Sequence, residues 1–278
     1  MSNHASSMSM RDALYEAPGP RTRRKVRFWT VVSIIVIAIG IGMIIRQFYV
    51  TGQLDPRYWE FFTRITTWSF LGAGFLGTLK VSLVAGAIAL ILGLVLMLGR
   101  ICKVKAVSWV CRIIIDFLRG VPSLLLIYFF FLVIPQYGIK MTSFWMITAP
   151  VALAAAGPLA EVFRAGVNAV PKGQVEAAYA LGMRRGKTLQ KIILPQAIKF
   201  VIPTIISLLV VVVKDTTVAY IVSYPDLLQN GRVLITNYDA LVSTYFVIAI
   251  IYILLSYAIN KASVAVARRM DVQIIKTR

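Results

Sequence analysis

The sequence predicts an all-α integral membrane protein that crosses the bilayer about six times, and composition, apolar spacing and charge placement lead to that class. Hydrophobic residues make up 59% of the 278 and charged residues 15%, with a mean hydropathy of +0.78. That leaves too little polar surface for a soluble globule of this size. Apolar stretches occur at 28–46, 76–98, 113–134, 144–163, 201–223 and 244–263. Each suits the roughly 20 residues needed to cross about 30 Å of hydrocarbon at about 1.5 Å per residue.

The net charge of +19 is distributed in a way that argues against nucleic acid as a partner. Six basic residues precede the first stretch, five lie in 100–119, seven in 164–199 and five from 261 onward. The intervening outer segments hold Arg46, Arg57, Arg64, Lys80, Lys140 and Arg232. This is the positive-inside bias, and it places both termini and the segment 164–199 in the cytoplasm.

Residues 1–20 are polar and are expected to be disordered, as part of a basic tail over 1–27. Arg21, Arg23, Arg24, Lys25 and Arg27 followed by the run 28–45 imitate a signal peptide. The run is long for that role and no small-residue cleavage pattern follows, so an uncleaved span is expected. Residues 47–70 mix Trp59, Phe61, Phe62, Trp68 and Phe70 with Arg57, Glu60 and Arg64. That mixture suits an outer interfacial segment, with a rim for a partner as the alternative. Gly86 and Gly93, seven apart, share one helix face and admit a close neighbour; Gly77 is less well aligned with them. Pro122 and Pro158 are expected to bend or start their spans. Cys102 and Cys111 fall in the expected cytoplasmic loop, and the one histidine is His4. Neither a disulfide framework nor a metal site is expected.

Charges inside spans cost about 2.5–3.5 kcal/mol each at mid-depth. Glu161 and Arg164 are three apart and can pair on one helix face as a gate or structural pair. Lys214 and Asp215 sit in the fifth stretch about 100° apart around a helix, so they do not simply neutralise one another. With Thr217 they are candidates for the translocation path, where a zwitterion needs groups of both signs. A structural pair with a neighbouring helix is the alternative.

Between the fourth and fifth stretches, residues 176–181 are good helix formers, Gly182 permits a left-handed or sharply bent position, and 188–193 resume helical composition before Pro195. Ala177, Ala178 and Ala180 keep one face thin enough for another backbone to approach. The result is a polar docking segment without a catalytic group.

Glu176-Ala177-Ala178, three residues, Gly182, nine residues and Ile192-x-Leu194-Pro195 resembles, without a gap, the cytoplasmic EAA signature of permease subunits of bacterial ABC importers. Gly77-Thr78-Leu79, Arg119-Gly120-Val121-Pro122, Glu161 with Arg164 and Gly166, Gly173-Gln174, Gln196-Ala197 and Lys214 are similar to the branch that imports polar amino acids. The resemblance runs over roughly 70–270. It implies a type I ABC importer-like permease fold, with 28–70 as an extra N-terminal helix plus interfacial segment, a five-helix core over 71–264 and a basic tail over 265–278. It assigns coupling to Gly173, Gln174, Glu176, Ala177, Ala178, Gly182, Ile192, Leu194 and Pro195, and brings Arg119 toward the substrate path. The implied partners are cytoplasmic ATPase subunits carrying ATP and Mg, a second permease that is expected to form a heterodimer, and an extracellular or periplasmic substrate-binding protein. The long N-terminal part is most similar to one subunit of glutamate importers, so glutamate is the first substrate expected.

No cofactor is expected on this chain, which is read as a transport subunit and not an enzyme. Gly182 and Gly186 are separated by three residues where a P-loop needs four after a strand. An ion-coupled secondary carrier using Lys214 and Asp215 is the competing class, and a membrane-embedded enzyme ranks below it. Neither accounts for the spacing of the cytoplasmic segment.

Overall fold

The computed structural model describes residues 19–269, which are helical nearly throughout and contain no strand. The chain divides into two compact units, Met1–Pro56 and Arg57–Arg278. In the first, α1 covers Pro20–Val50. Pro20 suits the first helical turn, where its missing N–H has no intrahelical partner to lose. No side chain of α1 is buried, and its apolar residues face outward on all sides, as on a lipid-facing helix. Residues 20–27 therefore continue this helix and are not part of a disordered tail, because Arg and Lys are good helix formers adjoining an apolar run. Residues 1–18 of that expected tail, and 270–278 of the C-terminal one, lie outside the described residues.

The second unit contains α2 (Ile65–Arg100), α3 (Lys105–Gly120), α4 (Ser123–Tyr128), α5 (Ser143–Ala169), α6 (Lys172–Ala180), α7 (Arg185–Thr188), α8 (Leu194–Asp215), α9 (Leu227–Tyr238) and α10 (Leu241–Arg269). α5 is central, packing against α2, α3, α4 and α8. Small side chains make this possible: Ala85, Ala89, Ala152, Ala156 and Ala160 are all essentially inaccessible. A Cβ on Gly93 would lie 2.9 Å from Leu159 Cβ and 3.1 Å from the Ala156 carbonyl, and one on Gly86 would meet Leu209. Both glycines thus serve helix contacts, as their spacing predicts, but with two different partners, α5 and α8.

The third apolar stretch is not one straight span. Val121 is extended (φ −88°, ψ 123°) because Pro122 disfavours helix at the residue before it and brings no N–H. The helical pieces Lys105–Gly120 and Ser123–Tyr137 meet at 99°. Five helices are long and apolar enough to cross a membrane, six if this bent pair counts as one span. Pro158, by contrast, neither starts nor ends a helix and lies within α5.

α2 also begins earlier than its apolar stretch. Residues 65–70, expected at the interface, are its first turns, and Gly77 lies within it. The reason is tertiary: this end of α2 packs on α9. The Leu227 N–H donates to Thr78 Oγ1 (3.1 Å), and Asn230 Nδ2 donates to the Phe70 carbonyl (2.7 Å). Asp226 caps α9 by accepting from the Gln229 N–H at 2.7 Å. Burial pushes its carboxyl up to about 6, against the opposing pull of the Gln229 and Leu228 N–H groups. In the preceding segment Phe61 is buried and stacks on Tyr238 at 4.5 Å, while Trp59 meets Phe246 edge-on at 6.0 Å. These aromatics anchor the segment to α9 and α10.

Substituting Ala for Gly93 should destabilise the bundle by about 1–3 kcal/mol through overpacking. Gly72→Ala on the same helix, where an added Cβ meets nothing, should not. Thermal unfolding of the two variants in detergent checks this, and equal melting temperatures would refute the close approach as a constraint.

Candidate functional site

The segment after α5 is built as its composition predicts, helix, break and helix. Val170 and Pro171 are extended, and α6 starts from the proline. It ends on a left-handed Gly182 (φ +75°). The Gly182 N–H donates to the Tyr179 carbonyl (2.9 Å) and the Met183 N–H to the Ala178 carbonyl (3.0 Å), so the last carbonyls of α6 are satisfied by a Schellman closure. Arg184 is extended, α7 follows, and a wide helical turn over Leu189–Ile193 leads into α8, with Pro195 in its first turn. Gly173, Gln174, Glu176, Ala177 and Pro195 are exposed, whereas Ile192 and Leu194 are half-buried. Ala178 is buried at 3% exposure. The thin outward face therefore comes from Ala177 and Ala180 alone. Close by, a Cβ on Gly166 would meet the Ala197 carbonyl at 2.7 Å, so this glycine lets α5 and α8 converge above the segment.

Glu161 joins three helices at this end of the bundle. Its carboxylate takes Arg100 from the end of α2 and Arg164 from α5, the latter at 2.8 Å, with Arg119 of α3 at 3.7 Å. Arg119 also lies 3.8 Å from Asp116. The Glu161–Arg164 pair follows from spacing; Arg100 was missed, since a charge ending an apolar stretch reads as a positive-inside anchor and its partner is 61 residues away. Arg185 Nη2 donates to the Ile101 carbonyl at 3.3 Å, linking α7 to the turn beside this cluster.

Arg119 and Asp215 come together as well. They line one cavity of about 150 Å³, with Leu118, Ser123, Pro158 and Leu208 among its walls. Ser123 lines the same cavity as Asp215. It too was missed, although a serine directly after a helix-breaking proline is a readable signal. Lys214 and Thr217 do not line the cavity; Lys214 is exposed, and the Thr217 hydroxyl donates to the Lys214 carbonyl at 2.7 Å. A solute here meets one guanidinium, one carboxylate and a hydroxyl within otherwise apolar walls, an arrangement suited to binding without bond chemistry. Among the described residues no group of three His, Cys, Asp or Glu side chains could hold a metal ion.

Residues 87–272 match the family described as binding-protein-dependent transport system inner membrane component. The chain is 32% identical over 223 residues to the glutamate transport system permease protein GluD of Corynebacterium glutamicum, covering 79% of this chain and 82% of that one. It is 31% identical to the probable glutamine ABC transporter permease protein GlnP of Bacillus subtilis, over 74% of this chain and 94% of the relative. Among solved structures, an amino acid ABC transporter with histidines superposes with a TM-score of 0.71 at 26% identity, over 75% of this chain and 98% of its own. The fold is also that of the MetNI methionine ABC transporter, with a TM-score of 0.63 at 18% identity, covering 74% and 99%. With the match running over most of its length, the chain belongs to the inner membrane components of binding-protein-dependent transport systems, as a permease subunit of an ABC importer for amino acids.

Proposed function

We propose that this subunit forms part of the path for a polar amino acid, glutamate first, and is driven through residues 173–195 by a separate ATPase subunit that carries ATP and Mg. The observation that carries this reading is the exposed α6–Gly182–α7 element. It protrudes from the bundle yet is tied through Arg185 and Ile101 to the turn next to the Glu161 cluster. A push on it reaches the ends of α2, α3 and α5 without crossing a flexible loop. Arg119 belongs to that cluster and also faces the cavity opposite Asp215. A rigid-body switch between inward-open and outward-open arrangements would then change the groups offered to the solute. The opposite charges suit an amino acid's carboxylate and ammonium, and the similarity to GluD favours glutamate over glutamine, aspartate or a basic amino acid.

On this reading the EAA segment and both termini face the cytoplasm of a bacterial inner membrane, and a substrate-binding protein delivers solute from outside. The second permease is a related chain that completes a heterodimer. Membership of the importer family leaves the ion-coupled carrier without support. Gentle extraction of the tagged chain should recover an ATPase and a second permease; recovery of this chain alone would overturn the assignment of partners. Uptake competition among glutamate, glutamine, aspartate and arginine then tests the substrate.

Gly182→Val places a β-branched residue at φ +75° at a cost of about 1–2 kcal/mol. It should lower uptake per ATP hydrolysed in proteoliposomes, whereas Gly186→Val, with open space at its Cβ, should not. Asp215→Asn should raise the half-saturating amino acid concentration about tenfold or more while sparing basal ATP hydrolysis. Normal uptake in Lys214→Met would remove that residue from the path. Glu161→Ala leaves three guanidiniums without their shared carboxylate and should cost about 3 kcal/mol, read as a lower melting temperature that Glu161→Asp partly restores.

A further inference from the structure

The turn between α2 and α3 borders a second, more basic and open cavity of about 330 Å³. Arg100, Lys103, Lys105 and Arg112 line it with Ser108 and Trp109, and no carboxylate is among its walls. Arg100 is answered by Glu161, but among the described residues Lys103, Lys105 and Arg112 form no ion pair. Three like charges are thus gathered around one hollow. The backbone adds to the effect: α3 starts at Lys105 with no side-chain cap and no acidic residue in its first turn, so its free N–H groups present further positive charge. A lysine stands where a helix ordinarily favours a carboxylate. An anion in the cavity relieves both conflicts at once.

The same helix indicates what kind of anion. Trp109, Val110, Ile113, Ile114 and Phe117 are all exposed, and their alternating intervals of one and three draw an apolar stripe along α3. An amphipathic helix with an apolar stripe, a basic edge and a tryptophan between them lies at the level of lipid headgroups. Trp109 belongs to both features, lining the cavity and standing 64% exposed.

We propose that this cavity binds the phosphate headgroup of an anionic phospholipid whose acyl chains lie along the apolar stripe of α3. A soluble phosphate would satisfy the cations but would leave the stripe unused. The bound lipid would touch the turn whose Ile101 carbonyl receives Arg185, so the site lies within one hydrogen bond of α7.

Cys102 lines the cavity and provides a local probe. In the full-length chain carrying Cys111→Ser, the rate of Cys102 alkylation by a maleimide is followed in detergent micelles containing phosphatidylglycerol, phosphatidylcholine, or inorganic phosphate at matched ionic strength. Phosphatidylglycerol should slow the reaction several-fold at mole fractions where phosphatidylcholine does not. Each of Lys103→Gln, Lys105→Gln and Arg112→Gln should weaken that protection about fivefold. Equal protection by both lipids, or none by either, would overturn the site. Protection by inorganic phosphate alone would assign the cavity to a soluble anion and overturn the lipid. The comparison of lipids on the unsubstituted cavity stands even where a lysine variant folds poorly.

Discussion

The carboxylate of Glu161 is the constraint on which the working end of this bundle rests. It is only 18% exposed and sits about two turns before the end of α5, where the last turns of α2 and α3 meet it. A partly buried carboxylate needs donors: Arg100 and Arg164 supply hydrogen bonds and Arg119 adds a longer ion-pair contact at 3.7 Å, so three helices meet at this one side chain. The position of each helix end is thereby fixed relative to the others. Because α5 is also the helix that α2, α4 and α8 pack against, an error at Glu161 would propagate through the core. The small residues along α2 and α5 are the apolar counterpart of this constraint: they bring the backbones close enough for side chains at the ends to share one partner.

Arg119 connects this junction to the cavity. Its contacts with Glu161 and Asp116 are long, and its side chain is 48% exposed, so it is held less firmly than Arg100. A cation with two weak partners can be drawn to a third at little cost. The position of Pro122 matters for the same reason, since the break after Gly120 turns the chain at 99° and brings Ser123 to the wall facing Asp215. A straight span through 113–134 would have carried Arg119 and Ser123 up a single helix.

Much of this is legible in the sequence. The apolar stretches locate α1, α2, α5, α8 and α10 because hydrocarbon thickness dictates helix length, and the spacing around Gly182 locates the exposed segment because only a few residues tolerate its backbone. Asp215 was visible as a charge too costly to lie in a span without a purpose. The proline marked a bend or start at 122, but not its angle of 99°, since an apolar count carries no information on where a helix points. The early start of α2 and the burial of Ala178 were likewise unreadable: one depends on hydrogen bonds to α9, the other on which side of a short helix turns inward. Arg100 shows the same limit, as its role follows from a carboxylate on another helix.

The Schellman closure at Gly182 has a bearing on work as well as on shape. A protruding segment that had to order itself against a neighbour would spend part of each contact on conformational entropy, about 1–2 kcal/mol for every residue fixed. Here the backbone carbonyls are already satisfied and the chain direction already reversed, so little disorder remains to be removed. In the proposed coupling role such an element would act as a lever with little slack, and displacement applied at its tip would reach the membrane helices with little lost to reordering.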